Sequence, residues 1–90
     1  MLDMERRLTE MEKSILLSFL ALSKGKAKPL KEDEVVMRFS QVQRHFARKT
    51  IERLVKEEFL IRHARGKSYI LSEKGLKGAR RALVEGAQLI

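Results

Sequence analysis

The side chains able to do chemistry are few in this sequence, and their spacing decides which chemistry is open to it. Cysteine is absent, so there is no disulfide framework, thiol nucleophile or thiolate metal ligand. The two histidines, His45 and His63, fall on different expected elements and lack a His-x-x-x-His spacing, so neither a metal nor another cofactor is expected. The two aspartates, Asp3 and Asp33, fall at expected helix ends and propose no Ser–His–Asp set. Gly66-Lys67-Ser68 has the form of the end of a phosphate-binding loop, but Ile61 stands where that loop needs its first glycine, and a strand follows instead of a helix. An enzyme is therefore not expected. What remains is charge: 20 Lys and Arg against 12 Asp and Glu, a net +8, which favours a polyanionic partner.

The excess is unevenly placed. Residues 1–40 carry 8 basic and 7 acidic side chains, whereas residues 41–90 carry 12 and 5. The elements expected in the second half are a helix and a hairpin. With Ser40 as N-cap and Gln43 three residues on, a helix is predicted from Gln41 to about Glu57. At 100° per residue, Ala47, Thr50, Ile51, Leu54 and Val55 share an apolar arc. Gln41, His45, Arg48, Lys49, Glu52, Arg53 and Lys56 collect on the opposite one, where Glu52 and Lys56 have the spacing of a helix-stabilising pair. Phe59-Leu60-Ile61 and Ser68-Tyr69-Ile70-Leu71 then read as two strands around a loop that contains Gly66.

Upstream, Thr9 and Glu12 form a capping-box pattern for a first helix that runs through Met11, Ile15, Leu16, Phe19, Leu20 and Leu22 and ends at Ser23-Lys24-Gly25. Lys31 to Arg38 is predicted as a short second helix, acidic at its start, with Val35, Val36 and Phe39 inward. Pro29 before it marks either an edge strand or the lead-in to that helix. Ser72 caps a last helix with a stripe of Leu76, Ala79, Leu83, Ala87 and Ile90. The fold class so predicted is α+β, mainly helical, in one domain over residues 1–90.

The run Ile51-Glu52-Arg53-Leu54-Val55-Lys56-Glu57-Glu58-Phe59-Leu60-Ile61, followed by Tyr69-Ile70-Leu71-Ser72-Glu73-Lys74-Gly75, resembles the winged helix–turn–helix family, including MarR-like, PadR-like and small archaeal regulators. The likeness spans roughly residues 10 to 85 and lies in a hydrophobic pattern. It implies a small antiparallel hairpin as the wing, a C-terminal helix, and binding to double-stranded DNA as a transcriptional regulator or small chromatin-associated protein. On that reading Gln41, His45, Arg48 and Lys49 face the bases in the major groove. Arg53, Lys56, Arg62, Arg65 and Lys67 hold phosphates. Glu58 stands where the family often has glycine, which implies a left-handed turn there and strain on the order of 1 kcal/mol. The rival reading is a winged-helix protein–protein adaptor whose basic face meets an acidic partner.

Other expectations follow from the ends and the composition. Met1, Met4, Leu8, Met11, Ile15 and Leu22, with Ser18 as the one polar entry in the series, recur at three- and four-residue spacing; together with the last stripe they suggest a homodimer. The longest apolar run, Phe19 to Leu22, is far short of a membrane span, and a cytoplasmic, nucleoid-associated location is expected. The absence of Cys and Asn with 36% charged residues suggests a thermophilic source; melting well below about 70 °C would count against it.

Overall fold

The computed structural model describes residues 7–26, 28–63 and 66–86. Its elements run α1 (Glu10–Leu22), β1 (Leu30–Lys31), α2 (Glu32–Val36), α3 (Arg44–Lys56), β2 (Leu60–Arg62), β3 (Ser68–Leu71) and α4 (Glu73–Val84), an α+β fold that is mainly helical. The strands form one antiparallel sheet in the order β1-β3-β2. Within the hairpin Leu60 pairs with Leu71 and Arg62 with Tyr69, while Leu30 of β1 pairs with Tyr69 from the other side. Pro29 thus immediately precedes an edge strand.

Local chemistry explains most of the boundaries. Thr9 and Glu12 form the expected capping box: the Glu12 amide donates to Thr9 Oγ1 at 3.2 Å and the Thr9 amide to Glu12 Oε1 at 2.8 Å. The Ser72 hydroxyl accepts from the Gly75 amide at 2.9 Å and starts α4. Both α1 and α3 end with a non-glycine residue in the left-handed region, Lys24 at φ 56° and Glu58 at φ 67°. At the second of these, the Phe59 amide donates to Leu54 O at 2.9 Å and the Glu58 amide to Val55 O at 3.0 Å. Those two bonds satisfy carbonyls the helix leaves open, which offsets a strain of about 1 kcal/mol.

Two helix starts depart from expectation. α3 begins at Arg44, not Gln41. The Ser40 hydroxyl donates to Gln43 Oε1 at 3.2 Å instead of accepting from the backbone, and amides of Gln43 and Arg44 bond to Ser40 O and Gln41 O across three residues. A tight turn therefore leads into the helix without a side-chain cap. α2 is also shorter than Lys31 to Arg38, because Lys31 belongs to β1 and Arg38 and Phe39 close with three-residue bonds onto Val35 O and Val36 O.

One hydrophobic cluster joins all layers: Ile15, Leu16 and Phe19 of α1, Val35 and Val36 of α2, Ala47, Ile51 and Leu54 of α3, Leu60, Tyr69 and Leu71 of the sheet, and Ala79 of α4. Leu8, Met11 and Leu22, three members of the N-terminal apolar series, pack against this same cluster. α4 turns Gly75, Ala79 and Ala82 inward, so Leu83, a member of the predicted apolar stripe, is 55% exposed. The rotation is fixed by Gly75, where a Cβ would lie 2.0 Å from the Phe59 carbonyl oxygen. Met1, Met4, Ala87 and Ile90 lie outside the described residues. Among the described residues no helix is long and apolar enough to cross a membrane.

Candidate nucleic-acid interface

α3 owes its orientation to its buried face: Ala47, Thr50, Ile51 and Leu54 are buried, as the sequence predicts. Its opposite face presents His45, Lys49, Glu52 and Lys56, all exposed, at helical spacing along one line. Gln41 is exposed as well, but in the turn before the helix. The expected Glu52–Lys56 pair is not among the ion pairs of the described residues.

The arginines behave differently from the lysines. Arg48 Nη1 lies 2.7 Å from Glu32 Oε2 and 3.1 Å from Asp33 Oδ1, both at the start of α2. Those hydrogen bonds, Glu32 first and Asp33 second, raise its pKa above the ordinary arginine value. As placed, the guanidinium of Arg48 points at α2. Arg53 Nη1 lies 3.5 Å from Glu12 Oε2, whose side chain is fully buried. Arg62 lies with its guanidinium 5.7 Å from the centroid of the Tyr69 ring, a cation–π placement. Arg65 lies outside the described residues, and Lys67 is exposed beside Gly66 in the hairpin loop.

Glu32 is the node of this region. It is buried, it accepts from Arg48, and its Oε1 receives a long hydrogen bond from the Tyr69 hydroxyl at 3.5 Å. Its backbone amide donates to Lys67 O at 2.7 Å. One residue of α2 therefore ties α3 to the base of the hairpin. The shallow recess of about 250 Å³ beside it is lined by Lys31, Glu32, Asp33, Gly66, Lys67 and Ser68, two lysines facing two acids.

Tyr69 reports on this node. Burial, with the Glu32 carboxylate as the next cause, raises its pKa above the ordinary tyrosine value. It is the one tyrosine in a chain without tryptophan, so its phenolate absorbance is an isolated signal. The folded pKa is higher than the unfolded one, so the associated stability is complete below about pH 10 and lost as pH rises through the folded value. An alkaline titration should show phenolate appearing later in buffer than in denaturant, and Glu32→Gln should move the folded midpoint down. Coincident native and denatured curves would contradict the burial argument.

Sequence reasoning missed three features. Arg44, in the first turn of α3, donates from Nε to Phe39 O at 3.2 Å and braces the turn. The acids that hold Arg48 were not foreseen. Met37, Val42 and Phe46 stand 60%, 91% and 53% exposed around the same turn. For Phe46 a signal existed: on the helical wheel it lies about 90° from the centre of the buried arc. Among the described residues there is no group of three or more His, Asp or Glu that could hold a metal. In comparisons with known proteins, no family model, no curated protein and no solved structure matches the chain.

Proposed function

We propose that this chain is a winged helix–turn–helix protein that binds double-stranded DNA, with α3 in the major groove and the β2–β3 hairpin on the sugar–phosphate backbone. The carrying observation is that the exposed stripe of His45, Lys49 and Lys56 on α3 is joined, through Glu32, to the hairpin that bears Arg62 and Lys67. A polar stripe with two lysines, interrupted by Glu52, beside a basic hairpin suits a duplex, whose phosphates flank the groove a helix enters. The order of the elements also supports the reading, with β1 of the sheet preceding the two helices and the hairpin following them. His45 and Lys49 are the base-facing residues of this proposal, with Gln41 at the entrance; Lys56, Arg62 and Lys67 hold phosphate.

The test is a titration of random-sequence duplex at two salt concentrations. Binding that weakens as salt rises is the expected result, and no binding at low salt would overturn the proposal. The adaptor reading draws on exposed Met37 and Phe46 and requires no duplex binding, so the same titration separates the two. Under the DNA reading we also expect a homodimer, formed through the end of α4, where Leu83 is 55% and Val84 86% exposed. Light scattering at tens of micromolar should give twice the chain mass for the wild type and the chain mass for Leu83→Glu with Val84→Glu. A wild-type monomer would rule the dimer out.

A further inference from the structure

Three of the six large apolar side chains exposed among the described residues fall within ten positions, Met37, Val42 and Phe46. The other three, Ile61, Leu83 and Val84, lie on the hairpin and on α4. The setting of the first group is unusual in charge as well. Residues 35–51 contain no Asp or Glu and hold Arg38, Arg44, His45, Arg48 and Lys49. Along the chain these apolar positions are therefore interleaved with the cations Arg38, Arg44 and Lys49 and with His45, while Arg48 is paired with Glu32 and Asp33. A second copy of this chain fits this group poorly, because a two-fold contact would set the same cations face to face. An apolar group carried by a polyanion fits both features at once.

We infer that Val42 and Phe46 form a contact for the C5-methyl group of thymine, so that α3 reads thymine by apolar touch and not by hydrogen bonds alone. This rests on the DNA-binding reading above. Phe46 stands in the first turn of α3 between His45 and the Lys49 turn, at the end of the helix that meets base edges in this mode of docking. Val42 precedes it by four residues, in the turn that leads into the helix. In the major groove the thymine methyl is the one apolar marker on a base edge, and a phenyl or isopropyl group is its natural complement. The arginine that a sequence reading would assign to guanine, Arg48, is held by Glu32 and Asp33, which leaves apolar contact a larger share of the readout.

The experiment compares a duplex selected from a random pool with the same duplex carrying deoxyuridine at every thymine, which removes only the methyl groups. Wild-type protein should bind the uracil duplex about fourfold more weakly for each methyl it buries. Phe46→Ala should bring that ratio close to one. Val42→Ser should reduce it as well, and because Val42 is almost fully exposed its replacement leaves the fold intact, as an unchanged melting curve would verify. A wild-type ratio of one overturns this inference while leaving duplex binding in place. So does a Phe46→Ala protein that loses equal affinity for both duplexes, or variants that keep the full ratio. Failure of the wild type to bind any duplex overturns this inference and the DNA reading together.

Discussion

Gly75→Ala is expected to destabilise the protein by about 3 kcal/mol or more, a large part of the total for a domain this small. The added Cβ would sit 2.0 Å from the carbonyl oxygen of Phe59 and 3.0 Å from its carbonyl carbon. Neither is the far end of a flexible side chain, so α4 or the start of β2 must move. Movement breaks what the close approach permits: the Ser72 amide donates to Phe59 O at 3.1 Å, and the one hydroxyl proton of Ser72 is shared between Glu58 O at 2.6 Å and Phe59 O at 3.1 Å. Gly78, three residues on, is the internal control. There a Cβ would meet only side-chain atoms, the nearest a Leu16 methyl at 3.4 Å, and alanine gains up to about 1 kcal/mol of helix propensity. Urea unfolding of the two variants should separate them clearly; a Gly75→Ala protein within about 1 kcal/mol of wild type would show that the packing of α4 adapts.

Lys56→Ala combined with Lys67→Ala is expected to make the slope of log K against log salt shallower by roughly 1.8, since each phosphate contact on duplex contributes about 0.9. At physiological salt the same relation gives about a thirtyfold loss of affinity, on selected and scrambled duplexes alike. Both lysines are exposed, so stability should hold and the loss can be assigned to binding. Lys49→Ala, by contrast, should narrow the difference between selected and scrambled duplexes. An unchanged salt slope in the double variant would place the phosphate contacts elsewhere, on the α4 face of Lys77 and Arg80, for example.

Much of this molecule was legible because the forces that shape it are local. Thr9 and Glu12 are three residues apart and needed nothing else to start α1. The buried arc of α3 followed from periodicity, and the left-handed turn at Glu58 was implied by the resemblance to a family that often has glycine there. What escaped was long-range. Arg48 meets Glu32 across 16 residues of sequence and Asp33 across 15, and no periodicity announces such a pair. The cap assigned to Ser40 failed because residues 41–43 form a turn, so the helix starts at Arg44, beyond the reach of that hydroxyl. The two-residue strand β1 exists only because β3, far along the chain, gives it a partner. Gly75 reads as a helix weakener until the Phe59 carbonyl is seen against it.

The carboxylate of Glu32 has a further consequence for how the two basic parts meet a ligand. It holds the helix through Arg48 and the foot of the hairpin through Tyr69, while the backbone amide of the same residue donates to the Lys67 carbonyl. Neither part is left to find its angle during an encounter. The entropy of bringing them into register is lost once, when the chain folds, and not again at each association. A shortened or neutral side chain at position 32 would leave the cations in number but loosen their alignment, and a partner would then have to do the aligning itself.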